Sequence, residues 1–172
     1  AFYPLVMVST PILATKLFAP ARRPQLVARP RIAERLGTTL DAGHRLTLVS
    51  APSGCGKTTL LSDWLTDLDQ RQGHTRVGWL SLDDGDNDLT RFMAHLAAVL
   101  QSTELDVDAA FLESLSTAPT AAALTPLVND IARAGEQEPG KQWIVVLDDY
   151  HAIGASEVHE AVTFLLDHLP DH

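Results

Sequence analysis

The sequence predicts an α/β fold of three layers, a mostly parallel sheet with helices on both faces. Three observations predict it: segments of strand and helix periodicity alternate along the chain, a glycine-rich turn joins the first strand to its helix, and an apolar run late in the chain ends in paired aspartates. The 172 residues are 45% hydrophobic and 20% charged, the mix of one globular domain or part of a larger one. One cysteine excludes a disulfide framework and fits a reducing compartment, so the cytoplasm is expected. No run of 18 apolar residues is present to span a membrane. Residues 1–57 hold eight Lys/Arg against two acids, and residues 58–172 five against twenty. A body this acidic repels nucleic acid, so direct nucleic-acid binding by this segment is not expected.

The first 30 residues carry five prolines and little periodicity, which predicts an extended or irregular segment, with 31–172 as the domain proper. Met7 begins a string resembling a native start, so residues 1–6 are expected to be foreign. Pro30 suits a first helical position, before Arg31-Ile32-Ala33-Glu34-Arg35-Leu36, and Gly37 and Gly43 bracket the helix end and the approach to a strand. Arg45 to Ser50 is a short, partly β-branched run, a strand. Lys57 to Leu68 has Leu60, Leu61, Trp64, Leu65 and Leu68 on one helical face. A second strand fits Arg76 to Leu82. Asp83 to Asn87 reads as an acidic surface turn, and Asp88 as the cap of a helix facing inward through Leu89, Phe92, Met93, Leu96 and Leu100. A short helix is expected around Phe111 to Leu115, and another from Leu124 to near Gly135. Trp143 to Leu147 predicts a fully buried strand. Ser156 to Leu169 closes the chain as a helix.

Between the first strand and its helix stands Ala51-Pro52-Ser53-Gly54-Cys55-Gly56-Lys57-Thr58, the P-loop pattern with alanine for its first glycine. Gly54 and Gly56 permit torsions that turn successive N–H groups into one hollow. The helix that follows adds its unpaired N–H groups and the positive end of its dipole. Lys57 supplies a mobile charge for β- and γ-phosphates, and Thr58 a hydroxyl for Mg²⁺. Thr59 either touches the α-phosphate or bonds the helix backbone. Cys55 contributes backbone; the bland reading of its thiol is a spectator, the sharper one a redox switch.

Trp143-Ile144-Val145-Val146-Leu147-Asp148-Asp149 has the form of a Walker B strand, about 90 residues after the loop. Asp148 then holds Mg²⁺ through water, and Asp149 orients or deprotonates the attacking water. The implied cofactors are ATP and Mg²⁺. Other constellations fail. His159-Glu160 lacks the second histidine of a zinc helix, since Thr163 stands there. The other histidines are scattered, as for solvated or capping roles. Asp83, Asp84, Asp86 and Asp88 lack the spacing of a calcium loop.

With both elements in place, the chain resembles the ATP-binding module of MalT-like regulators, LuxR-type transcription activators in the STAND class of signalling NTPases. The resemblance rests on Ala14-Thr15-Lys16-Leu17, Leu26-Val27-Ala28-Arg29-Pro30-Arg31, the P-loop, Trp79-Leu80-Ser81-Leu82-Asp83 with Asp86-Asn87 and Arg91-Phe92, and Asp148-Asp149-Tyr150-His151. It implies that Leu26 to Arg31 lie at the adenine, with Val27 and Arg29 in contact, although Arg29 is equally readable as a basic residue at a helix start. It implies an ATP switch with slow hydrolysis, in a longer protein that binds a small inducer, self-associates and binds DNA through other regions. It also implies a further strand between the Walker A and Walker B strands, expected after Leu169, so the chain reads as a truncated domain of marginal stability. Two other functions fit a P-loop: a small-molecule kinase, disfavoured because only Arg91 and Arg133 lie between Arg76 and Lys141, and a nucleotide-binding interaction domain without turnover.

Overall fold

The computed structural model of the chain describes residues 12–21, 29–72, 74–108, 111, 114 and 120–170. Helix α1 spans Pro30–Asp41, α2 Lys57–Gln72, strand β1 Thr75–Ser81, α3 Leu89–Ser102, α4 Thr125–Gln137, β2 Gln142–Asp148 and α5 Ser156–His168. Short 3-10 turns occupy Ala14–Leu17, Asp84–Asn87, Ala121–Leu124 and Tyr150–Ala152. Phe111 and Ser114 are helical; the rest of the helix expected there lies outside the described residues.

The sheet pairs β1 with β2 in parallel, Trp79 opposite Val146 and Ser81 opposite Asp148. The period-two alternation of strands sorts side chains onto two faces. Trp79 and Val146, with Val77 and Ile144, meet Leu61, Trp64, Leu65 and Leu68 of α2 and Leu40 of α1. Leu80 and Leu82, with Val145 and Leu147, face the other way into a larger core. That core is filled by Phe92, Met93, Leu96 and Val99 of α3, Leu127 of α4 and Val158 of α5. The result is a helix layer, a parallel sheet and a second helix layer, as the alternation predicted. Among the described residues no helix is long and apolar enough to cross a membrane.

Two expectations need correction. Residues 45–50 form no strand: Leu46 and Leu48 are 62% and 82% exposed, and among the described residues no strand pairs with them. Arg45 Nη1 instead donates to the carbonyl of Leu166 on α5, at 3.0 Å. The β2 strand is not fully buried; only Val146 and Asp148 are, because among the described residues no strand pairs with the edge away from β1. Helix α1 ends at Asp41, between Gly37 and Gly43 as expected, and Gly43 takes φ 70°.

The N-terminal segment is tied across the edge of β1. Lys16 is buried and its ammonium lies 2.6 Å from Asp86 and 2.7 Å from Asp83, beyond the carboxyl end of β1. Ser62 of α2 donates to the carbonyl of Pro20 at 2.9 Å.

Candidate functional site

The glycine-rich turn sits at the start of α2. Gly54 and Gly56 take φ 79° and 78°, in the left-handed region that side chains rarely adopt. Around them Cys55 N–H donates to the carbonyl of Pro52 at 3.3 Å, and Leu60 N–H to that of Gly56 at 2.9 Å. The first N–H groups of α2, at Lys57, Thr58 and Thr59, have no partner within the helix and remain available at its positive end. Ala51, Pro52, Ser53, Gly54 and Cys55 are exposed, so the hollow opens to solvent. A Cβ at Gly54 would meet nothing within 4 Å, so torsion rather than crowding selects glycine there. At Gly56 the nearest atom to a Cβ is an Arg29 guanidinium nitrogen at 3.9 Å, which brings Arg29 to the loop. Val27 lies outside the described residues. The Lys57 ammonium donates to the carbonyls of Ala51 and Pro52, at 2.8 and 3.3 Å, and so lies folded over the loop.

The carboxyl end of β2 meets this loop. Thr58 Oγ1 donates to Asp148 Oδ1 at 3.1 Å, across 90 residues of sequence. Asp148 is 8% exposed, and its Oδ1 also accepts from the N–H of Asp149 at 3.1 Å. Adjacent ligands on an octahedral ion of Mg²⁺ size stand about 2.9 Å apart. The Thr58 and Asp148 oxygens therefore have the hardness and the spacing to hold Mg²⁺. Among the described residues no group of three His, Cys, Asp or Glu forms a protein cage for a metal. Mg²⁺ suits such a site, because it is ordinarily completed by phosphate oxygens and water. Asp149 has φ 57°, and its exposed carboxylate lies 3.7 Å from His151 Nδ1. Lys57, Thr58, Arg29 and Asp148 are thus gathered at one loop. Thr59 is half-buried on the first turn of α2, and Asp149 opens the turn that follows β2.

A second cluster adjoins this edge, and the sequence reading missed it. The acidic turn after β1 is not wholly a surface turn. Asp86 is fully buried, accepting from the Lys16 ammonium at 2.6 Å and the Asp83 N–H at 2.9 Å. Its other oxygen lies 2.7 Å from Nδ1 of His95, itself fully buried and so an exception to the solvated or capping roles expected of most histidines. Arg91 approaches Asp83 and Asp86 at 3.7 and 3.5 Å. The Lys16 hydrogen bond holds the Asp83 carboxyl below its usual range, against the opposing effect of desolvation. The Tyr150 hydroxyl, 2.7 Å from His159 Nδ1, is raised above its usual value by burial. The one sequence signal for the cluster was the density of Asp83, Asp84, Asp86, Asn87 and Asp88 at a strand end, where open α/β sheets place their sites.

Comparison with known proteins agrees with this geometry. Residues 21–172 match the family described as "AAA ATPase domain". The HTH-type transcriptional regulator MalT of Cronobacter sakazakii is 35% identical over 161 residues, and its Yersinia pestis counterpart 34% over 161. Each alignment covers 94% of this chain and 17% of the relative, so the chain spans about a sixth of the length of those proteins.

Proposed function

This chain belongs to the AAA ATPase domain family as a MalT-like ATPase module, and from that premise we propose that it is the Mg-ATP-binding switch of a LuxR-type transcription activator. The observation that carries the reading is the Thr58–Asp148 contact beneath the Gly54/Gly56 hollow. It joins a hydroxyl on the loop to a carboxylate on the strand in the pairing that Mg-nucleotide needs. On this reading the loop amides from Ser53 to Thr59 cradle the phosphates, Lys57 leaves the loop carbonyls for the β- and γ-phosphates, and Thr58 and Asp148 hold Mg²⁺. Bound Mg²⁺ offsets phosphate charge. Asp149 orients or deprotonates the attacking water, hydrolysis is slow, and it resets the switch. Arg29 and Val27 belong to the nucleotide site. The proximity of Arg29 to Gly56 supports a contact nearer the phosphates than the adenine expected from sequence. In the whole protein, an inducer, self-association and DNA engage other regions, in the cytoplasm.

The kinase alternative is weakened by the two arginines it would need. Arg91 is held at Asp83 and Asp86, and Arg133 bonds Asp130 at 3.1 Å. The test is fluorescent-nucleotide binding followed by single turnover of labelled ATP. Lys57→Ala is expected to weaken ATP binding at least about 30-fold, roughly 2 kcal/mol of charge-assisted hydrogen bonding. Asp148→Asn should abolish the Mg²⁺ dependence of affinity. Equal ATP affinity in wild type and Lys57→Ala overturns the assignment. Phosphate moved to an acceptor, or ATP retained unchanged, replaces the switch with a kinase or a non-hydrolysing binder.

A further inference from the structure

The Asn87 side chain ties the turn after β1 to the turn after β2. Its Nδ2 donates to the carbonyls of Asp84 and Ala152, both at 3.0 Å. Its Oδ1 accepts from the N–H groups of Gly154 and Ala155, at 2.7 and 2.8 Å. An asparagine side chain has two donors and one oxygen with two lone pairs, so this amide is saturated, and only one of its two flipped orientations satisfies all four partners.

Both ends of this bridge are informative. On one side, Asn87 closes a turn anchored by the buried Asp86 to Lys16 and His95. On the other, the clasped backbone at 152–155 is the far end of a turn that begins with Asp149. Within that turn Ala152 N–H donates to the Asp149 carbonyl at 2.9 Å, and Ile153 N–H to that of Tyr150 at 3.1 Å. Asp149 has the left-handed φ of 57°, a conformation that persists in a non-glycine residue when its surroundings fix it. The start of α5 has no capping side chain of its own at Ala155, so Asn87 supplies the acceptor there from another element.

We propose that Asn87 is a positioning residue for Asp149: it clasps the turn after β2 and so sets where the Asp149 carboxylate stands over the nucleotide, governing turnover rather than affinity. This rests on the nucleotide reading above. The clasp reaches Asp149 through backbone, and Asn87 itself touches neither the P-loop nor Asp148. Its loss leaves the phosphate cradle intact and frees the catalytic turn.

The test compares wild type, Asn87→Ala and Asn87→Asp in the whole protein, by hydrogen exchange, fluorescent-ADP binding and ATP turnover. Asn87→Ala is expected to speed exchange of the Gly154 and Ala155 amides about tenfold, the loss of a typical hydrogen bond. Exchange across 143–147 should stay unchanged. ADP affinity is expected to hold within about twofold, with kcat falling at least about tenfold and KM little altered. Asn87→Asp keeps the two acceptor contacts but sets an anionic oxygen against the carbonyls of Asp84 and Ala152, so it too should speed exchange at 154–155 and lower kcat with ADP affinity held. If Asn87→Ala fails to fold, the Asp variant decides by the same measures. Unchanged exchange at 154–155 overturns the clasp. Faster exchange with unchanged kcat overturns the positioning role. A wild type that binds ADP without turning over ATP removes the catalytic consequence and leaves the clasp judged by exchange, whereas a wild type that binds no nucleotide refutes the proposed function itself.

Discussion

Asp86 is a fully buried carboxylate held by groups from three parts of the chain: Lys16, the Asp83 N–H and His95. A buried charge deprived of its partner costs about 3–5 kcal/mol, and the contacts that survive put Lys16→Met at the low end, about 3 kcal/mol by urea unfolding. A loss below about 0.5 kcal/mol would mean that the ammonium contributes no more than an exposed pair does. Asp83 sits at the rim of this network with its pKa lowered from 3.8 by the Lys16 hydrogen bond. A carboxylate with a depressed folded-state pKa stabilises the fold above its unfolded value and loses that contribution as pH falls through the folded one. The advantage of wild type over Asp83→Asn should therefore be complete above pH 3.8 and decline at more acidic pH, read from urea midpoints across that range. The P-loop was legible because its chemistry is local: eight consecutive residues carry it. Lys16 and Asp86 stand 70 residues apart, and composition gives no sign that either is buried.

Helices were legible through their apolar faces, and their ends less so. Asp88 caps α3 as predicted, its side chain accepting from the Arg91 N–H at 2.8 Å. Helix α1 ends inside the bracket that Gly37 and Gly43 set, and of the two only Gly43 takes the positive φ favoured just past a helix end. Gly78 carries a different meaning, one of close approach between β1 and α3. A Cβ there would stand 2.4 Å from Val99 Cγ1 and 3.4 Å from the Val99 carbonyl oxygen. Val99 is fully buried, so the helix has no free direction in which to yield. Gly78→Ala is expected to cost about 1–3 kcal/mol by overpacking. Because the clash is mainly with one methyl, Val99→Ala in the same chain should recover part of that loss, so the double variant is more stable than the two single costs added together. Strict additivity in urea unfolding would locate the cost of the alanine elsewhere.

At the scale of the whole molecule, two residue runs of similar apolar character meet different fates. Residues 143–147 pair with β1, while 45–50 join no strand among the described residues, although both read as strands. Apolar pattern reports the capacity to form a strand, but a strand exists only where a neighbour takes its hydrogen bonds. The three layers were legible from alternation alone; the pairing of each strand was not, because it depends on residues distant in sequence. The difference is measurable. Leu48 is 82% exposed and Val146 9% exposed. Leu48→Ser should change stability by less than about 0.5 kcal/mol, as surface substitutions do. Val146→Ala removes buried methyls from the cluster with Trp79, Leu65 and Leu68, and should cost about 1–3 kcal/mol. Amide exchange should divide the same way, near intrinsic rates at Thr47 to Val49 and strongly slowed at Trp79 and Leu80, which lie in the paired strand with side chains buried in opposite faces. Comparable protection at both places, or a Leu48→Ser variant as destabilised as Val146→Ala, would place 45–50 inside a sheet.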